Sequence, residues 1–150
     1  MELMAIPKFE RLFREAASLD VDKTDLRRLD DFFNHEIEDL LIRGVANAKA
    51  NGRDVIIPSD LPITKGLQES IHAFIAFNED IDLTPTLDQL TKLPILELEY
   101  SDDTRAMLPE IAGGLSVALA RTFKIIDPDA KNPLATEHWD RAFKLFDQLL

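Results

Sequence analysis

From Leu26 to Ala48 the apolar residues Leu26, Leu29, Phe33, Ile37, Leu40, Leu41, Val45 and Ala48 recur at spacings of three and four, with no proline before Asn51-Gly52. That period predicts one amphipathic helix of about 27 residues, about 40 Å long, whose apolar face needs a partner along its whole length. Ahead of it Pro7 stands where a first helical turn tolerates proline, and Phe9, Leu12, Phe13, Ala16 and Ala17 predict a short helix reaching Ser18. Leu19-Asp20-Val21-Asp22 breaks the period and leaves Asp22 or Thr24 as N-cap of the long helix. Behind it come a stop at Asn51-Gly52, a β-branched strand Val55-Ile56-Ile57, a start signal Pro58-Ser59-Asp60, and a third helix lined by Leu61, Leu67, Ile71, Phe74 and Ile75.

The same succession returns further along. A gapless shift of 78 residues carries Pro7 onto Pro85, Leu12 onto Leu90, Asp25 onto Asp103, Arg27 onto Arg105 and Arg43 onto Arg121. Core positions follow: Leu29, Phe33, Ile37, Leu41 and Val45 fall on Met107, Ile111, Leu115, Leu119 and Phe123, then Leu61, Leu67 and Ile71 on Trp139, Leu145 and Leu149. One register serving three helices points to an internal duplication, with copies at 7–72 and 85–150, joined through Asn78–Thr84, and domains at 1–78 and 79–150. In the second copy Thr84-Pro85 opens a helix, Ile95–Tyr100 reads as a strand and Ser101 caps the next helix. Pro109 should kink or delay that helix, and Gly113-Gly114 would cost about 1 kcal/mol each against alanine unless another backbone passes close, so a tight crossing with the other half is expected.

Composition narrows the class. The chain has 150 residues, 45% hydrophobic and 30% charged, enough for one compact unit or two closely packed halves. Without cysteine there are no disulfides, zinc–thiolate sites or cysteine nucleophiles. No apolar run approaches membrane length, and the opening segment, with Glu2, lacks a secretory core, so a soluble cytoplasmic protein is expected. The net charge of −11 repels nucleic-acid phosphate over long range.

Short helix, loop, long helix, loop, short helix is the plan of the histone fold. Ala48-Lys49-Ala50-Asn51-Gly52-Arg53, followed by the β-branched run and Asp60-Leu61, resembles the end of the long helix in archaeal histones. There a loop arginine pairs with an aspartate opening the third helix, and the resemblance gives those positions to Arg53 and Asp60. The whole chain resembles a bacterial histone-like family with two histone folds fused in one polypeptide. The resemblance implies an all-α fold, a duplicated histone fold closing as an intramolecular handshake pseudodimer, and a monomer or a homodimer of it. In a handshake the first loop of one copy adjoins the second loop of the other, which would set Arg53 among acidic neighbours. The second copy departs from the motif, with Lys131 and His138 where Arg53 and Asp60 stand. Ala50 occupies the position where archaeal histones carry a stacking histidine, which puts end-to-end assembly in doubt.

Sites for chemistry are sparse in the sequence. His35, His72 and His138 are far apart, and His35-Glu36-Ile37-Glu38-Asp39 lacks the second histidine of a zinc helix, so a solvated polar face is expected, with no metal and no cofactor. Asp30-Asp31 and Asp102-Asp103 read as helix-start charges rather than acid–base pairs, and Trp139 as a core anchor. Arg53 and Asp60 read as a structural clamp. Lys8, Arg11 and Arg14 form a basic stripe on the first helix, with Lys23 and Arg53 in the loops, and are the candidate DNA contacts. The second copy answers with Glu97, Glu99, Asp102 and Asp103, and residues 1–78 hold 10 basic against 14 acidic side chains while 79–150 hold 7 against 14. A DNA-wrapping rim needs continuous positive charge. The expectation is therefore a non-enzymatic histone-like module that binds a protein partner, with weak or specialised DNA association through the first half, and with a nucleoid DNA-binding protein as the alternative.

Overall fold

The computed structural model describes residues 5–130 and 135–150, and the fold is mostly helical. In chain order the elements are α1 (Ile6–Ala17), α2 (Lys23–Ala50), strand β1 (Val55–Ile56), a 3-10 turn (Pro58–Asp60), α3 (Lys65–Ile81), α4 (Thr84–Leu90), strand β2 (Glu99–Tyr100), α5 (Asp102–Ile126) and α6 (Thr136–Leu149). Among the described residues no helix is long and apolar enough to cross a membrane.

Local chemistry sets most boundaries. Ser18 closes α1 in the left-handed conformation. Asp22 and Asp25 then exchange side chain to backbone hydrogen bonds, Asp25 N to Asp22 Oδ1 at 2.8 Å and Asp22 N to Asp25 Oδ2 at 3.0 Å, which makes a capping box at the head of α2. Thr64 caps α3 and Ser101 caps α5 with a side-chain oxygen alone, accepting from Leu67 N and Thr104 N. The third helix starts at Lys65 rather than Leu61, because Pro62 has no N–H to donate and turns Leu61 away from helical geometry. Asp140 holds the matching place in the second half, and there α6 runs unbroken from Thr136.

Two further expectations need correction. The connection between halves is only Asp82-Leu83, since α3 continues through Asn78 to Ile81 and both Ile81 and Leu83 are buried. Asn78 folds that corner with its own side chain, accepting from Leu83 N at 2.6 Å and donating to Thr84 Oγ1 at 2.8 Å. The strand foreseen over Ile95–Tyr100 shrinks to Glu99–Tyr100, because β1 offers two residues to pair with and Ile95 stands fully in solvent beyond Pro94. Of the two effects expected of Pro109, the delay is not seen: α5 begins at Asp102 and carries Pro109 inside it.

One core runs through the molecule, and α5 lies at its centre, touching every other helix. β1 and β2 pair in parallel, Val55 opposite Glu99 and Ile56 opposite Tyr100, so the loop after one long helix is stitched to the loop before the other. The glycines of α5 do what their spacing suggests. A Cβ on Gly114 would stand 2.4 Å from Ile71 Cγ1 and 2.9 Å from its Cα, and one on Gly113 would stand 2.5 Å from the Phe74 ring, so α3 and α5 meet nearly backbone to backbone.

Two outcomes follow. Gly114→Ala should lower stability by about 1–3 kcal/mol in urea unfolding, because Ile71 backbone has nowhere to move. Gly66→Ala, where a Cβ meets nothing within 4 Å, is the control that should not destabilise. Residues 1–82, which keep α3 whole, should be unfolded or self-associated when expressed alone, by circular dichroism and sedimentation, because the apolar face of α2 loses its cover. A stable monomeric half would count against that account.

Candidate functional site

The corner after α2 brings the anticipated clamp together. Arg53 bonds to Asp60 Oδ1, while Asp60, 2% exposed, also accepts from Ile57 N at 2.9 Å through Oδ2. Asn47 Nδ2 donates to the Asp60 carbonyl at 2.7 Å, tying the turn to α2. The Ile56 carbonyl then accepts from Ser101 N and from Thr104 Oγ1, both at 2.9 Å, and so anchors the head of α5 on β1. Lys49 pairs with Glu97, and Glu99, Asp102 and Asp103 lie on the exposed side of the same corner. Arg53 itself is held by Asp60 of its own half, and the ion pair to the other half at this corner is made by Lys49 with Glu97.

The second half rebuilds the clamp from other groups. Lys131 lies outside the described residues. His138 stands where Asp60 stands, and its Nδ1 accepts from Ala135 N at 3.0 Å as Asp60 accepts from Ile57 N. That role places the ring proton on Nε2, which lies 3.1 Å from Asp127 Oδ2. Close by, Trp139 is buried as expected and donates from Nε1 to Asp25 Oδ1 at 3.1 Å, with Arg28 over its ring. Burial raises the Asp25 carboxyl above its ordinary range. The indole and the capping box together dock the head of α2 on α6.

The basic stripe is largely engaged inside the molecule. Lys8 donates to the Asp82 carbonyl at 3.0 Å and Arg11 to the Asp80 carbonyl at 3.2 Å, so both cations close the negative end of α3. Arg11 also reaches Glu15, and Arg14 lies between Glu10 and Asp20. Lys23, expected in a loop, is instead the first residue of α2, exposed and with no acidic partner among the described residues.

The carboxylate pairs divide. Asp102-Asp103 sit in the first turn of α5, as expected for charges favouring the helix dipole. Asp30-Asp31 lie well inside α2, a correction to the helix-start reading, and Asp30 accepts from Asn34 Nδ2 at 2.9 Å while burial pushes its carboxyl up.

A cluster that sequence reasoning missed lies between α2 and α6. His35 is exposed, as anticipated, with Nε2 3.4 Å from Asp39 Oδ2 and 3.8 Å from Asp147 Oδ1. Its neighbour Glu36 is only 4% exposed and has no hydrogen-bond or ion-pair partner among the described residues. Burial pushes the Glu36 carboxyl up to about 7, with Asp39 and Asp147 raising it further and His35 opposing them. The available signal was position: Glu36 follows Phe32 by four and precedes Leu40 by four, which sets it on the buried face. Between pH 4.5 and about 7 the folded chain holds a proton on Glu36 that the unfolded chain has released, so stability falls as pH rises through that window. Glu36→Gln should flatten the fall in pH-dependent urea unfolding, whereas an unchanged fall would assign it to other groups.

The chain also has relatives. Residues 9–147 match the family described as a domain of unknown function, DUF1931. Two uncharacterised proteins of Aquifex aeolicus (strain VF5) are 31% and 32% identical, over 85% and 83% of this chain and 82% and 75% of theirs. A crystal structure of a protein from Thermus thermophilus superposes with a TM-score of 0.84 at 52% identity, covering 97% of each chain. A second crystal structure, from Aquifex aeolicus, superposes with a TM-score of 0.84 at 24% identity over 97% of this chain and 95% of that one, and shows the shared fold alone. With nearly its whole length matched, the chain belongs to the DUF1931 family.

Proposed function

We propose that this chain is a duplicated histone fold closed as an intramolecular handshake, and that it works as a non-enzymatic, histone-like module for binding a protein partner. The parallel pairing of β1 with β2 carries the reading, because it joins the loop after the long helix of one half to the loop before the long helix of the other. The order short helix, long helix, short helix on both sides of Asp82-Leu83 supports it.

Charge placement favours a protein partner over DNA. At the corner Arg53 is committed to Asp60 and Lys49 to Glu97, with further carboxylates alongside. Lys8 and Arg11 hold the end of α3, and the net charge is −11. A phosphate chain would have to break these contacts while meeting like-charged carboxylates. An apolar groove of about 460 Å3 lies between α3, α5 and α6, with Ile125 and Leu149 largely in solvent beside Arg121, and is the kind of surface that protein contacts cover. The second reading, a nucleoid DNA-binding protein, rests on Lys23 and on the solvent-facing parts of Arg11 and Arg14.

A gel shift with a salt titration separates the two. The interaction module should form no stable complex with duplex DNA at low ionic strength. A complex whose affinity falls with a log–log salt slope of about −3 or steeper, weakened by Lys23→Ala with Arg14→Ala, would establish the DNA reading instead.

A further inference from the structure

The seam between α2 and α6 holds an arrangement that neither reading uses. One ligand atom each from His35, Glu36 and Asp147 lies within 4.8 Å of the other two. They border a cavity of about 260 Å3 that is completed by Asp31, Phe32 and Phe143, with no lysine or arginine in its lining. Glu36 is the telling member. The residue is 4% exposed, and its carboxylate borders the cavity, where among the described residues it has no hydrogen-bond donor and no lysine or arginine beside it. Its two exposed companions, a ring nitrogen and a second carboxylate, can turn toward it, and Asp39 beside His35 adds further negative charge.

We propose that His35, Glu36 and Asp147 bind a divalent first-row transition cation of the zinc class at this seam. The donor set argues for that class: an imidazole nitrogen suits zinc, nickel or cobalt, whereas magnesium and calcium prefer all-oxygen shells. Ligand atoms around a tetrahedral ion with bonds of about 2.0–2.1 Å lie about 3.3 Å apart, so modest rotations of the exposed His35 and Asp147 side chains close the site. Remaining positions open to the cavity and take water. The ion neutralises Glu36 and joins a helix of the first half to a helix of the second. The handshake and DNA questions do not bear on it.

The test uses the full chain stripped with EDTA and titrated with zinc(II) and cobalt(II) by calorimetry, visible absorption and thermal unfolding. Expected are saturable uptake of one ion per chain, new cobalt d–d bands, a raised Tm, and no comparable response to magnesium(II). Glu36→Gln and His35→Ala should each weaken zinc binding at least tenfold, while His72→Ala leaves it unchanged. The exposed His35 tolerates alanine, so this variant keeps the test valid if Glu36→Gln disturbs folding. The proposal is overturned by absence of saturable uptake. It is equally overturned if either folded variant binds with wild-type affinity, which would mean an adventitious ion only.

Discussion

The fold depends on how closely α3 can approach α5. Two long amphipathic helices joined in one chain bury their faces only if some element of each half reaches the other's backbone, and Gly113-Gly114 supply the place where it does. Ile71 and Phe74 occupy the volume that side chains on those glycines would need. Around that contact α5 touches α1, α2, α4 and α6, so a shift at the crossing would be felt in every helix pair. The propensity cost of two adjacent mid-helix glycines is a small local loss set against the burial of Phe74, Leu115 and Phe123 in one continuous core.

Around the crossing, the two ends of the molecule solve one problem with different chemistry. Each must hold a loop against the head of a long helix without leaving backbone donors dry. At one end Asp60 accepts from Ile57 N and from Arg53, and the Ile56 carbonyl receives Ser101 and Thr104. At the other, a histidine nitrogen stands in for the carboxylate oxygen, and the Asp25 carboxylate takes the Trp139 indole. Hydrogen-bond geometry has been kept while the charges have changed, which is why Arg53 and Asp60 say much about shape and little about ligand.

Much of this is legible in the sequence, for reasons that differ by element. The long helix α2 and its Asp22 start are readable because a period of three and four with a capping residue leaves few alternatives. The purpose of Gly113-Gly114 is readable because mid-helix glycine pairs are costly without a close neighbour. The late start of α3 is masked, although Pro62 stands in plain view, because the apolar Leu61 suggests continuity. The length of the second strand escapes the pattern because strand extent is set by the partner, and β1 offers only two residues. Most of the basic stripe reads as free charge, yet the acceptors for Lys8 and Arg11 are carbonyls at the end of α3, which no residue pattern announces. The cluster at Glu36 is hidden because its third member arrives from α6 at the far end of the chain.

The connection between halves is only Asp82-Leu83, tucked under Asn78. Were the halves two copies of one separate chain, as the proposed duplication has it, they would form a twofold pair, in which every substitution appears twice and each contact must be its own complement. A short covalent bridge removes that requirement, because the halves find each other at an effective concentration that dilution does not change. Each face is then free to vary singly. A bulky indole can press on the head of α2 while Leu61, at the matching place, lies against Gly44, and a carboxylate can be buried at one seam with no duty to reappear at its counterpart. On the proposed duplication, two similar halves joined this way become an asymmetric object that can tell its two ends apart.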